Sequence, residues 1–390
     1  MKKLFLLSIS ALVLLAGCQR TATTPTEVEV VNLTDVIEVG DLTEIATDFV
    51  VVPLKYDGPI DAIEGIKFFD NKAFGRNKDS RKIYCFDDYE LYAILDRLGR
   101  GPGEYTYISD FTYNMKTNTL YIPNDTVIWC YDATTMDYIG KREVNFDIQN
   151  MQVFGDKVLY NGIPGFEKTR MNYSVILADI EQNDLSDAVV LSRHHLLHEY
   201  IYGSPQVFYI NPMNRSYSRT GFVNSIVTFD DDSITTIYNF RFGDIDVPKS
   251  YIATDYSQYE NDITSFIINW YSEMSDIPAP YEIFNIIVDG KTISFRYDYY
   301  PEGTGGRTDE LYWVKNKKGT NVYHKLRVPG ITLDIVPIGC HDNRNVAILD
   351  NYGNDCIDDS TEMSPLGKQI IEAMKSQNDD NPVLIEFRFK

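Results

Sequence analysis

Cysteine is scarce in this chain: five among 390 residues, far too few for a scaffold built on disulfides. Histidine is as sparse, also five, and no Cys-x-x-Cys pair stands out, so the usual zinc and dithiol redox motifs are missing. Basic residues are short as well. Against 57 aspartates and glutamates stand only 36 lysines and arginines, leaving a formal charge of −21. Binding nucleic acid requires basic surface that displaces counterions, so this balance argues against that class. It argues equally against electrostatic docking onto anionic lipid. No Ser-His-Asp order and no nucleotide-binding glycine loop stands out. The acidic runs 230–232 and 355–359 lack the graded ligand spacing of a calcium loop. No metal and no cofactor is expected.

What is present begins with an export signal. Lys2 and Lys3 precede an apolar run over 4–15, and Leu15-Ala16-Gly17-Cys18 closes it. That run is too short to span a bilayer of about 30 Å, so residues 1–17 read as a signal peptide. The cysteine placement resembles a bacterial lipobox, which implies that Cys18 is lipidated and becomes the first mature residue. Several acyl chains on one residue give stable anchoring. Gln19 follows where an aspartate would suggest inner-membrane retention, so the outer membrane is expected, facing the periplasm or the cell surface. Residues 18–27 read as a polar Thr/Pro tether, and residues 28–390 as one folded domain.

The folded part reads as sheet. The 28 tyrosines and 20 phenylalanines suit pleated, half-buried surfaces. Ile83-Tyr84-Cys85-Phe86-Asp87 recurs 45 residues later as Ile128-Trp129-Cys130-Tyr131-Asp132. Each copy is followed by a short strand, 92–94 and 138–140, and runs 110–114 and 119–123 precede the second. Four short strands per unit of about 45 residues mark a propeller blade. A fainter echo, 175–179, ends on Asp179. Later strand candidates are 207–210, 225–229 and 233–240, then 283–288, 292–297, 310–315 and 322–326, then 333–338 and 345–349. In 383–390, Val383, Ile385, Phe387 and Phe389 share one apolar face. Runs 27–31 and 49–54 are also strand-like. Ring closure needs a strand from one chain end to complete the blade at the other, since an open ring leaves bare edges.

The expected fold is all-β: a six-bladed β-propeller of four-stranded antiparallel blades, with two helical insertions. One insertion covers 256–274, whose apolar stripe reads as a packing face, with partner docking as the alternative. The other starts at Ser364 as N-cap with Pro365 at N1, placing Leu366, Ile370, Ile371 and Met374 on one side. Besides Cys18, four cysteines allow three pairings. Cys85 and Cys130 fall on equivalent strands of adjacent blades, about 10 Å apart, which is too far for a disulfide. Reduced, buried thiols are expected.

Gly99-Arg100-Gly101-Pro102-Gly103-Glu104-Tyr105 lies between the first two blades, and Asn381-Pro382-Val383-Leu384 follows the second helix. Together with the lipobox and the 45-residue repeat, these segments resemble a family of six-bladed β-propeller lipoproteins from Gram-negative bacteria. The similarity runs from about Phe49 to the C-terminus and is strongest over 50–140 and 380–390. It implies the fold and an envelope location, and brings no catalytic residues.

The glycine-rich corner supplies the candidate ligand-binding residues. Arg100 would pair with a carboxylate or sugar acid and Tyr105 would stack on a ring, with Glu104 beside them near the channel mouth. Alternatively the glycines supply positive φ for a sharp turn and Arg100 braces Glu104. His194 and His198 would share one face of a helix, but no third metal ligand is evident, and solvated histidines are the simpler reading. Asp125-Thr126-Val127, Asp232-Ser233-Ile234 and Asp359-Ser360-Thr361 resemble an O-glycosylation pattern of exported proteins, at expected loops. No catalytic motif stands out. The sequence therefore supports a non-catalytic binding or scaffold lipoprotein for a glycan, peptide or protein partner. The alternative is a propeller lyase or hydrolase acting on polysaccharide or peptide. Titratable groups converging with Arg100 or His194 would favour the enzyme.

Overall fold

The computed structural model describes residues 28–30 and 35–390, apart from 78, 80, 155, 165–171, 182–188, 196–207, 211–215, 221–222, 231–232, 242–279, 290–291, 300–308, 343, 351–352 and 378–380. The signal, Cys18, the tether and the 256–274 insertion lie outside the described residues. Blade 1 consists of Ile63–Phe69, Lys72–Asn77, Ile83–Asp87 and Glu90–Leu95. Blade 2 opens with Thr112–Asn114 and continues in Thr119–Asp132. Fully extended, that second segment would hold its ends about 43 Å apart. Yet Ala133 N donates to Asn118 O at 2.9 Å. The segment therefore doubles back near Asp125, whose φ is 56°, and supplies two strands. Tyr138–Phe154 pairs through its first half with blade 2 and through its second half with Lys157–Pro164 of blade 3. Asn172–Asp179 and Val189–His195 complete blade 3.

Blade 4 holds Phe208–Ile210, Ser216–Thr220, Val223–Asp230 and Ser233–Arg241. Blade 5 holds Pro280–Asp289, Thr292–Tyr299, Asp309–Asn316 and Gly319–Arg327. Blade 6 takes Pro337–His341, Arg344–Leu349 and Val383–Phe389, and Ala46–Pro53 completes it in antiparallel register. First strands touch first strands from blade 2 through blades 3, 4, 5 and 6 to blade 1, so they form the inner ring. The ring is closed by a strand from the opposite end of the chain, as the sequence required.

The N-terminal run has a second role that the sequence did not reveal. Val28–Val30 adds in parallel to the last strand of blade 4, and Val36–Asp41 adds in parallel to the last strand of blade 5. Two blades thus carry a fifth strand that covers an otherwise open edge. The first strand of blade 6 starts at Pro337 rather than 333, and Ser216–Thr220 has no counterpart among the expected strands. The four described cysteines stand outside any disulfide: Cys85, Cys130 and Cys356 are buried, and Cys340 is part-exposed. Cys85 and Cys130 occupy third strands of neighbouring blades, as expected.

Strand Val383–Phe389 departs from its expected amphipathic character. Val383, Ile385 and Phe387 face the helix Pro365–Lys375 and its surrounding core, while Leu384 packs with Ile63, Tyr84 and Phe86 of blade 1. Both faces are buried because neighbours pack on either side of a mid-blade strand. The helix itself is capped by Ser364, whose Oγ accepts from Gly367 N at 3.0 Å. Its apolar side, Leu366, Ile370, Ile371 and Met374, is buried as the spacing predicts. Phe387 sits against Phe49 and Phe389 with ring centroids 6.4 and 5.3 Å away. Phe387→Ala should cost about 3–5 kcal/mol in urea unfolding, whereas truncating the exposed Ile139 to Ala should cost less than about 0.5 kcal/mol.

Candidate functional site

The glycine-rich corner is a braced turn. Glu104 Oε2 accepts from Gly101 N at 2.7 Å, and Glu104 N donates to Gly101 O at 3.1 Å. A Cβ on Gly99 would fall 1.9 Å from that carboxylate. Gly103 has φ 74°, and a Cβ there would meet the Tyr138 ring at 2.6 Å. Glu104 therefore holds backbone, and among the described residues no ion pair joins it to Arg100. Tyr105 is fully buried; its Oη lies 2.8 Å from Arg81 O and accepts from Arg97 N at 3.2 Å. Burial pushes its pKa up to about 12. No face of that ring is free, which corrects the stacking role expected for Tyr105.

The corner is also placed differently from expectation. Tyr131 Oη donates to Gly103 O at 3.1 Å, and Tyr138 walls the same glycine. Both tyrosines belong to the outer strands of blade 2, so the corner is clamped to the outer half of that blade rather than the channel mouth. Arg100 and Pro102 are exposed on it. Leu98, two residues before Arg100, is 43% exposed, and Tyr107 is 38% exposed with its hydroxyl donating to Asp125 Oδ1 at 2.8 Å.

A second cluster sits where blade 6 meets blade 1. Glu386, only 1% exposed, accepts from Tyr89 Oη at 2.5 Å and from His341 Nδ1 at 2.6 Å, and pairs with Arg344 at 3.4 Å. Phe68 stacks on the imidazole with centroids 4.5 Å apart. Burial pulls His341 down, but the hydrogen bond and charge of Glu386 outweigh it, and its pKa is raised. Burial likewise opposes ionisation of Glu386, yet His341 and Tyr89 hold it below its usual range. Asp342, 4.0 Å from Nε2, is the other acid facing this imidazole. The group ties blade 6 to blade 1 through Tyr89 and through Phe68, which lies against one face of the imidazole.

A third tie crosses the inner ring. Lys67 Nζ donates to Asp110 Oδ1 and to Phe111 O, both at 2.7 Å, and Met151 N donates to Asp110 Oδ2 at 3.1 Å. Desolvation pulls the Lys67 pKa down. The family-like ending also ties blades. Asn381 accepts from Ile60 N at 2.9 Å and donates to Gly58 O at 3.0 Å, pinning the link from blade 6 to blade 1.

Among the described side chains, titratable groups converge at His341 rather than at Arg100. His194 and His195 end a strand, so no helical pairing with His198 arises, and His198 lies outside the described residues. Thr126 is exposed at the turn of blade 2, and Ser360 is exposed with its hydroxyl on Asp358 at 2.5 Å. The His341 group was hidden because its members lie far apart in sequence. Its one signal is Glu386, an acid in the middle of an apolar strand.

Two tests follow from this geometry. Gly103→Ala should destabilise by about 1–3 kcal/mol through strain at positive φ and the clash with Tyr138, read by chemical denaturation. His341 gains stability from folding below its ordinary value near 6.5, and loses it as pH rises through the raised folded value. Glu386 behaves oppositely, losing its contribution as pH falls below its ordinary 4.5. Thermal melts should therefore show His341→Gln more destabilising at pH 6 than at pH 8.5. An equal penalty at both pH values would refute the charged seam.

A sequence profile described as a 6-bladed beta-propeller, DUF5128, matches residues 19–272. Among solved structures, an exported-protein candidate from Bacteroides fragilis NCTC 9343 aligns with TM-score 0.65 at 16% identity, covering 93% of this chain and 100% of its own. A duf4221-family member from Bacteroides vulgatus ATCC 8482 aligns with TM-score 0.47 at 9% identity, covering 89% and 98%. No curated protein matches this sequence. With six blades on a closed ring and a profile match over more than half its length, the chain belongs to the DUF5128 family of six-bladed β-propellers.

Proposed function

We propose that this chain is a lipid-anchored protein of the cell envelope whose propeller, residues 28–390, is a non-catalytic binding or scaffold module for a glycan, peptide or protein partner. The carrying observation is the corner: Arg100 and Pro102 are exposed, with Leu98 two residues before the arginine, on a turn whose own backbone is braced by Glu104 and Tyr131. Rigid presentation of a cation with apolar neighbours is how small contact patches gain affinity. The lipobox at Leu15-Ala16-Gly17-Cys18 supports anchoring through Cys18, and Gln19 supports the outer membrane. The like-folded Bacteroides protein, described as exported, supports the same address. The enzyme alternative draws on the His341 group, where three polar side chains meet one carboxylate. There the carboxylate oxygens are already engaged within the fold.

A glycan array and a pull-down with residues 27–390 test the binding reading. Arg100→Ala should lose the captured ligand while stability changes by less than about 1 kcal/mol. Undiminished binding by that variant would remove the corner as the contact. Cys18→Ala should leave an exported protein in the aqueous phase of a detergent partition; a variant still in the detergent phase would sink the anchor.

A further inference from the structure

The order of the blades fixes where an anchored chain enters the ring. Val28–Val30 runs along the outer edge of blade 4, and blade 4 lies opposite blade 1 in the closed sequence of inner-strand contacts. Ten residue steps separate Cys18 from Val28, which reach about 35 Å when fully extended. Strands about 4.8 Å apart give a four-stranded blade a depth of about 14 Å. Two opposed blades, the added fifth strand and the space between inner strands then exceed about 40 Å. A tether of that reach cannot start at the blade 4 rim, cross the ring and set blade 1 on the bilayer. The same rim offers an apolar contact: Ile37 and Val39, on the strand added to blade 5, are 41% and 43% exposed. An overall charge of −21 makes apolar rather than electrostatic contact the suitable kind.

We infer that the anchored protein stands on the rim of blades 4 and 5, with Ile37 and Val39 against the lipid surface and blade 1 at the far pole. This rests on the lipidation of Cys18 proposed above. It also assigns a direction to the Arg100 corner, which lies between blades 1 and 2 and so faces away from the membrane.

The test uses the full lipidated chain in phosphatidylcholine vesicles that carry an acceptor dye on their headgroups. A donor dye is placed on Glu38→Cys, at the blade 5 rim, or on Glu90→Cys, in the outer strand of blade 1. Both are built on Cys340→Ser, because the other three described cysteines are buried. Energy transfer should be severalfold stronger from position 38 than from position 90. Adding Ile37→Asp and Val39→Asp should weaken transfer from position 38 while the vesicles still carry the protein. Equal or reversed transfer in a vesicle-bound chain overturns the orientation and leaves the anchor standing. Unaltered transfer in the double aspartate variant overturns the rim contact. A wild-type chain that fails to float with vesicles overturns the anchor, and the orientation with it.

Discussion

Antiparallel pairing of Ala46–Pro53 with Val383–Phe389 closes the ring, and the burial of every other blade depends on it. The partners lie more than 300 residues apart, so closing this loop costs roughly 5 kcal/mol in chain entropy beyond a constant. What offsets that cost is a third strand buried on both faces. Val383, Ile385 and Phe387 pack toward the capped helix, and Leu384 packs into blade 1. Had the chain ended in a one-faced strand, blade 6 would meet blade 1 across water. Asn381 acts at the same point by holding the backbone of residues 56–60.

Charge is used sparingly inside this ring, and two of the buried charged groups reach across a blade boundary. Glu386 engages Tyr89 of blade 1, and Lys67 of blade 1 engages Asp110 at the entry to blade 2. Buried ion pairs add little net stability, because desolvation cancels most of their attraction. Removing one partner is another matter, since the remaining charge is then stranded. They therefore act on alternatives: a blade slipped along its neighbour would leave Lys67 unpaired, and would take Tyr89 from Glu386 while His341 and Arg344 of its own blade stayed. Apolar faces supply the bulk of the stability, and the pairs select one spacing of the blades.

Much of this architecture was legible because a propeller repeats. The Ile-aromatic-Cys-aromatic-Asp pattern marks the third strand of blades 1 and 2, and the aspartate ends each strand at a turn: Asp132 accepts from Thr134 N and Thr135 N, whereas Asp87 accepts from the Asn71 side-chain amide. Ser364 and Pro365 marked the helix start for equally local reasons. The parallel strands 28–30 and 36–41 were not legible as edge covers, since nothing local tells a strand which distant blade it will join. Tyr105 misled for a related reason. A tyrosine beside glycines looks available, and only its enclosure by Arg81, Leu95 and Arg97 shows that it is structural. The His341 group combines residues from two blades and could be read only once the ring had closed.

Fold alone assigns no function to a propeller, so the reading turns on which groups a ligand can reach without breaking the protein's own contacts. In the inner ring and at the seam, a ligand would compete with Asp110 for Lys67 or with Tyr89 for Glu386. The first exchange strands a buried charge at a cost of several kcal/mol, and the second takes a hydrogen bond from a buried carboxylate. At the corner no such exchange is needed. An exposed arginine pairing with a carboxylate contributes only about 0.2–1 kcal/mol on its own. Burying the exposed Leu98 would contribute about 1.5–3 kcal/mol. Affinity at this patch would then come from its apolar member, and Arg100 would set which partners are accepted. The net charge of −21 repels other acidic proteins, and Arg100 would offset that only for a partner that brings a carboxylate to that one point. On the proposed reading, orientation and selectivity would belong to Arg100, and holding strength to the apolar residue beside it.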